Sequence, residues 1–313
     1  MSGTGASQPR VGALAKLTAA GVLIPSGVAG VYGRTARFER VRTAVDGTVS
    51  AVLAGDGFEH LAFPPVMPRE QLERIGYLES FPHLAGSIFA FTGDEDEAAE
   101  QARLAADHAD WSNFQHQTDL MLIPAACYPV YPYAATRGPL QDDGALFDLG
   151  GSYVFRREPS DDPMRLQMFH QRELVRVGTP DAVTDWRDTW ATRALDLVGR
   201  LGLEAQTEVA SDPFFGRSGR MLARSQRAQA LKFELAVTVP PDRSSVAVAS
   251  FNYHLEHFSS LYGIALASGA PVHTACVGFG LERLTLALFL THGLDPEVWP
   301  DEIRSALRLD DPL

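Results

Sequence analysis

Hydrophobic and polar positions along this chain change period several times, and those changes sketch its elements. Residues 34–54, "RTARFERVRTAVDGTVSAVLA", space their apolar side chains three and four apart, which predicts a helix. In "FEHLAFPPVMPREQLERIGYLESFP" (58–82) an apolar strand stops at Pro64 and Pro65, and Arg69 to Leu78 reads as a short helix. The acidic run "GDEDEAAEQARLAADHADW" (93–111) opens a solvated helix, with carboxylates near its positive end. From Asp119 the pattern turns to β. The segments "TDLMLIPAACYPVYPY" (118–133), "GSYVFRRE" (151–158) and "LQMFHQRELVRVG" (166–178) read as strands. A helix follows at 181–202, then strands in "ALKFELAVTVP" (230–240) and "SSVAVASFNYH" (244–254), and a last helix from Leu281 to His292. Strands joined by hairpins and separated by long helical insertions predict an α+β fold, an antiparallel β-sheet flanked by helices. No glycine-rich turn follows a first parallel strand, which argues against a dinucleotide-binding domain.

Composition narrows the classes. At 313 residues, 45% apolar and 21% charged, the chain has ample material for a core. Its 27 basic and 39 acidic side chains leave a formal charge of −12, a poor balance for gripping a long nucleic-acid backbone. Two cysteines make no disulfide framework, and a reducing, cytoplasmic setting is expected. The first 30 residues are rich in small residues and interrupted by proline and glycine. They read as a flexible arm rather than a signal peptide. No uncharged apolar run is long enough to span a bilayer, so no membrane partner is expected.

The charged hairpin at 151–178 carries the most chemistry. Alternate strand residues share a face, so Arg156 pairs with Glu158, and Phe169 with Gln171 and Glu173. Phe169 and Glu173 then lie roughly 13 Å apart. An arginine, an aromatic ring and a glutamate on one surface suit a nucleotide's phosphate, base and exocyclic amine. The same residues also describe a salt-bridged sheet facing solvent. Farther on, "ACVGFGLERLTLALFL" (275–290) sets Cys276 before a glycine turn and Arg283 in the first turn of an apolar helix. That arrangement suggests a metal or phosphate site wherever partners exist.

These segments carry a resemblance. "VFRRE", a loop and "RLQMFHQRE" resemble motif 2 of the class II aminoacyl-tRNA synthetases, and "GFGLER" resembles motif 3. The proline-bearing stretch at 58–82 resembles motif 1, which in those enzymes builds the dimer interface. Order and spacing are most similar to seryl-tRNA synthetase of the archaeal, zinc-dependent type. About 55 residues precede the similar region, with no long heptad pattern and no basic character, where those enzymes carry a tRNA-binding domain. With "PAACYP", "QRELVRVGTP", "SFNYHLEHF" and "TACVGFGLER", the chain is identified as a member of the amino acid:[carrier protein] ligases. The resemblance divides it into an N-terminal arm and helix (1–54) and a class II synthetase-like catalytic domain (55–313).

What the resemblance implies is specific. A small amino acid, glycine or alanine, would be activated with ATP and passed to the phosphopantetheine thiol of a carrier protein. Cys127, Glu173 and Cys276 would bind Zn2+, leaving a fourth position for the substrate's amine. Arg156 would grip the α-phosphate, Glu158 the adenine amine, Phe169 the ring, Arg165 the outer phosphates, and Arg283 the γ-phosphate and the other adenine face. Arg156 and Arg283 would act in catalysis. Asp212 is a candidate for the substrate's amino end, although a turn aspartate fits equally, and Asn252 and His254 border the same pocket. His254 and His257 read as a metal pair lack a third ligand. Mg2+ would accompany ATP, but no acidic ligand for it stands out in "SSVAVASFNYH". A homodimer is expected. Two alternatives stay open: a minimal enzyme acting on tRNA, which the net charge opposes, and a non-catalytic amino-acid-binding regulatory paralogue, which the ATP-type residues oppose. Arginines at 34, 37, 40 and 42, or at 217, 220, 224 and 227, could form a docking patch.

Overall fold

The structure, a computed structural model, describes residues 11–311. Helix α1 (Val11–Ala19) leads into a hairpin of β1 (Leu23–Val28) and β2 (Val31–Arg34), then α2 (Ala36–Leu53). Next come β3 (Glu59–Leu61), β4 (Val66–Pro68), α3 (Arg69–Arg74), α4 (Tyr77–Ser80), β5 (Ser87–Phe91), α5 (Glu95–Ala106) and β6 (Gln115–Leu122). The middle holds α6 (Val130–Thr136), β7 (Ala145–Phe155), β8 (Met168–Gly178) and α7 (Pro180–Arg200). It is followed by β9 (Ala205–Val209), α8 (Gly216–Ala228), β10 (Lys232–Val239), β11 (Ser244–Leu255) and α9 (His257–Tyr262). Strand β12 (His273–Gly280), α10 (Leu281–His292) and α11 (Asp301–Ala306) complete the described chain.

Seven strands form the main sheet in the order β3-β7-β8-β12-β11-β10-β9, with β3 parallel to β7 and every other pair antiparallel. A smaller sheet, β4-β6-β5, stands apart. The expected class, an antiparallel sheet flanked by helices, is what forms. Helix α2 buries Phe38, Val41, Val45, Val49 and Leu53, a stripe at three- and four-residue spacing that faces the sheet side of the molecule. Helix α10 is apolar nearly all round and packs between α2 and the sheet, so its sides are both covered. With α7 these helices cover one face around Trp190, Phe251 and Phe279. The other face packs Leu72, Tyr131, Phe147 and Val175 in a second cluster toward β7. Central strand β8 is buried from His170 to Val175, as a strand covered on both faces must be. Helix α5 starts in a capping box in which the Asp94 side chain accepts from the Asp96 and Glu97 amides. It buries no residue, in keeping with a solvated helix.

Several expectations need correction. Residues 11–30, expected as part of an arm, form α1, β1 and the turn into β2; residues 1–10 lie outside the described residues. The strand expected over 118–133 ends at Leu122. After Pro124 the chain turns, and the proline-rich "VYPYAAT" is helix α6, capped by Pro129. The helix expected from Arg69 to Leu78 is broken at Gly76. Cys276 sits in the middle of β12 rather than before a turn, because Gly278 and Gly280 continue the strand. No helix among the described residues is long and apolar enough to cross a membrane.

Candidate active site

Side-chain alternation on four adjacent strands builds one polar surface. Strand β8 presents Phe169, Gln171 and Glu173; β12 presents Cys276 and Gly278; β11 presents Ser250 and Asn252; β10 presents Lys232 and Glu234. Register aligns them in rows. Cys276 faces Asn252, which faces Lys232; Gly278 faces both Glu173 and Ser250, and Ser250 faces Glu234. The missing side chain at Gly278 leaves room for Gln171, whose Nε2 a Cβ there would meet at 2.7 Å.

Cys127 arrives from above, on the turn between β6 and α6. Its amide donates to Glu173 Oε2 at 2.7 Å, while the Ala126 amide donates to Gln171 Oε1 at 3.2 Å. The ligating atoms of Cys127, Glu173 and Cys276 all lie within 4.8 Å of one another, and all three residues are buried. Burial pushes the Cys127 thiol and the Glu173 carboxyl up from their ordinary ranges. The Cys276 thiol is raised further, first by its hydrogen bond with Cys127 and then by burial. Three acidic groups are thus packed where their charges would be unbalanced without a cation. Two sulfurs and a carboxylate are a donor set that fits zinc, with room for a fourth ligand. His254 lies beside this group, Nε2 3.5 Å from Cys276 Sγ and Nδ1 3.1 Å from Thr274 Oγ1. Burial, with His257 nearby, pushes it down to about 3, so it stays neutral. No third metal-type ligand joins His254 and His257 in such a group among the described residues.

Arg156 bridges this centre and the far end of the pocket. Strand β7 ends at Phe155, so Arg156 and Glu158 belong to the connecting loop, which corrects their expected place on a strand face. Arg156 Nε donates to the Pro124 carbonyl at 3.0 Å, and its guanidinium stands 5.7 Å from the centre of the Phe169 ring. Arg283, in the first turn of α10, donates Nε to the Met164 carbonyl at 2.9 Å and Nη1 to the Ala247 carbonyl at 3.0 Å. Burial and the Arg156 charge lower the pKa of Arg283. Two cations that disfavour each other, one of them at a helix start where the dipole is also positive, are relieved by an anion between them.

The pocket therefore gathers Cys127, Arg156, Phe169, Glu173, Asp212, Asn252, Cys276 and Arg283. Glu158 and exposed Arg165 do not line it, although both act electrostatically on Arg283. Asn252 Nδ2 is 3.4 Å from Cys276 Sγ. Asp212 is already engaged: Oδ1 accepts from Lys232 Nζ at 2.5 Å and Oδ2 from Gln226 Nε2 at 2.8 Å. Burial opposes its ionisation, but Lys232 and Gln226 outweigh that and hold the carboxyl below its usual range. Lys232 and Glu234 escaped the sequence reading. The signal was there: two charges two residues apart in the otherwise apolar "LKFELAV" mark one face of a strand as polar.

No protein-family model matches the chain. The solved structures it resembles include Methanopyrus kandleri seryl-tRNA synthetase, crystallised with an Aquifex aeolicus tRNASec, at a TM-score of 0.80 and 21% identity over 95% of this chain and 60% of that one. Pyrococcus horikoshii seryl-tRNA synthetase complexed with ATP gives 0.66 at 17% identity, over 90% of this chain and 58% of that one. Both establish the class II synthetase fold. The type-2 serine–tRNA ligase of Methanococcus aeolicus is 27% identical over 80% of the chain, which spans half of that enzyme's length. Two proteins of Bradyrhizobium diazoefficiens, amino acid–[acyl-carrier-protein] ligases 1 and 2, are 47% and 45% identical over 90% of the chain, covering 85% and 84% of their own lengths. At that identity and coverage the chain belongs to the amino acid–[acyl-carrier-protein] ligases.

Proposed function

We propose that this enzyme joins a small amino acid, glycine or alanine, to ATP as an aminoacyl-adenylate and passes it to the phosphopantetheine thiol of a carrier protein. The observation that carries the reading is the shared pocket, with the Cys127–Glu173–Cys276 group at one end and the Arg156–Phe169–Arg283 group at the other. A zinc ion held by the triad would supply a Lewis-acid seat for the substrate's neutral α-amine. Arg156, standing between the two ends, neutralises charge on the α-phosphate while the substrate carboxylate forms its bond to phosphorus and pyrophosphate leaves. Phe169 stacks on the adenine and Arg283 covers its other face toward the γ-phosphate. Glu158 and Arg165 lie outside the pocket wall and act at its mouth, on the adenine amine and the outer phosphates. Magnesium accompanies the triphosphate. No protein nucleophile is needed, because alignment and charge compensation supply the acceleration.

Asn252, next to Cys276, borders the amino-acid end, which the Tyr128 and Phe258 rings also line. One methyl changes discrimination by only about 1–3 kcal/mol, so serine is the competitor to test. Asp212 faces the same end but is neutralised by Lys232, which favours a wall-building role over a direct hold on the amine.

For the carrier, the two arginine groups differ. Arg34, Arg40 and Arg42 are paired with Glu282, Glu297 and Glu39, and Arg37 donates to main-chain oxygens. Helix α8 instead exposes Arg217, Arg220, Arg224 and Arg227 with Met221 and Leu222, and it contains no acidic residue. Its Gln226 reaches Asp212 in the pocket wall. On a chain of net charge −12, this basic helix beside the pocket is the surface we assign to an acidic carrier protein. The β3 edge, with the motif-1-like segment, is assigned to a homodimer contact.

The test is amino-acid-dependent ATP–pyrophosphate exchange with glycine, alanine and serine against a no-amino-acid control, followed by addition of holo-carrier protein or tRNA. Exchange with glycine or alanine and thioester formation on the carrier are expected. Absence of exchange with any amino acid on zinc-loaded protein would sink the reading.

A further inference from the structure

Behind the sheet, directly under the nucleotide end of the pocket, lies a charged cluster that the reaction does not use. Glu282 is fully buried. Its Oε2 accepts the His170 amide at 2.7 Å, and its Oε1 accepts from His170 Nδ1 at 2.6 Å. An ionised carboxylate can only accept, so Nδ1 carries the proton. Arg34, the last residue of β2, donates Nη1 to the same Oε1 and Nη2 to the Tyr153 hydroxyl at 2.6 Å, and Tyr153 packs against the His170 ring at 3.8 Å. Each partner adjoins a nucleotide-site residue in sequence: His170 follows Phe169, and Glu282 precedes Arg283.

The other end of the hairpin touches the same site. Gln167 donates its amide to the Gly30 carbonyl at 2.8 Å and Nε2 to the Ala29 carbonyl at 2.8 Å, while its own carbonyl accepts the Arg156 amide at 2.8 Å. Gly30 has φ +76°, and a Cβ there would stand 3.1 Å from Gln167 Cγ and 3.2 Å from the Arg165 carbonyl. Arg156 thus reaches the β1–β2 hairpin through Gln167, Arg283 through its neighbour Glu282, and Phe169 through His170 and Glu282.

We propose that the β1–β2 hairpin is a positioning element of the nucleotide site, with Arg34 locking Glu282 and His170, and the Gly30 turn locking Gln167, so that Arg156, Phe169 and Arg283 are held at fixed spacing. The inference rests on the ATP assignment made above. A buried carboxylate that loses its cation must shift or find another partner, and the strand of Phe169 and the helix of Arg283 then lose their common anchor.

The test compares Arg34→Met, Arg34→Lys and Gly30→Ala in full-length, zinc-loaded enzyme, with Arg283→Met as the reference. KM for ATP and KM for the amino acid are read by pyrophosphate exchange, with zinc content and melting temperature alongside. Arg34→Met should raise the ATP KM by about tenfold or more while the amino-acid KM stays within about twofold, because only the nucleotide end is anchored here. Arg34→Lys should recover part of the loss, and Gly30→Ala should move the ATP KM in the same direction. An equal rise in both KM values, or an unchanged ATP KM in folded Arg34→Met and Gly30→Ala, would overturn the positioning role. An unchanged ATP KM in Arg283→Met would overturn the nucleotide assignment itself.

Discussion

Replacing Lys232 with methionine is the sharpest test of how the pocket is held. Lys232 Nζ lies 2.5 Å from Asp212 Oδ1 and 3.1 Å from Glu234 Oε1, and its side chain is only 10% exposed. Methionine keeps the stem and deletes the charge, leaving Asp212 with Gln226 as its remaining side-chain partner. A fully buried pair broken this way costs 3–5 kcal/mol as a rule; with Asp212 31% exposed, screening brings the expected loss to about 2 kcal/mol. For 313 residues unfolding together, that lowers the melting temperature by about 3 °C. The double variant Lys232→Met/Asp212→Asn should regain part of it. The pH dependence has a definite sign. Burial alone would raise the Asp212 carboxyl and lower the Lys232 amine, yet their mutual attraction wins and moves both the other way. The Asp212 contribution is present above the unfolded pKa of about 3.9 and is lost as pH falls through the lower folded value. The Lys232 contribution is present below about 10.4 and is lost as pH rises through the higher folded value. Between those limits the gap between wild type and variant should be flat, and it should close in acid. Thermal melts at several pH values measure this. A variant that melts with the wild type at neutral pH, or a double variant no better than the single, would refute the pairing as a source of stability.

Other outcomes follow from the same geometry. Cys276→Ser, or treatment with a zinc chelator, should abolish stoichiometric zinc and cut amino-acid-dependent exchange by at least about a hundredfold, while affinity for a fluorescent ATP analogue, measured directly, holds. Gly278→Ala would set a Cβ 2.7 Å from Gln171 Nε2 and displace the side chain that accepts the Ala126 amide beside Cys127. Metal titration should then report about tenfold weaker zinc binding. Arg220→Glu with Arg224→Glu should raise the KM for carrier protein by about tenfold and leave exchange unchanged, since neither arginine lines the pocket. Equal loss in both assays would remove α8 as the docking surface.

How much of this was legible depended on what each residue's chemistry demands. Cys276 and Arg283 stood out in a glycine-rich stretch before an apolar helix, Cys127 and Glu173 joined Cys276 only through the family resemblance, and the structure does bring Cys127, Glu173 and Cys276 together. Strand β12 was misread for a physical reason. Glycine at 278 and 280 suggests a turn by its backbone freedom, but both continue the strand, and at 278 the missing Cβ leaves room for Gln171. The helix at 130–136 was hidden by Pro129 and Pro132, the first of which caps the helix while the second sits in its first turn, where no amide is needed. The N-terminal hairpin left the weakest trace of all. Four-residue β2 has no hydrophobic alternation of its own to advertise, and what holds it in place, Arg34 on Glu282 and Gly30 on Gln167, joins positions more than 130 residues apart. Local pattern reports what a segment can bury by itself; contacts of that span exist only after the sheet has formed. A reading by period and motif therefore picks out charged and thiol side chains of the pocket and passes over contacts of long sequence separation such as these.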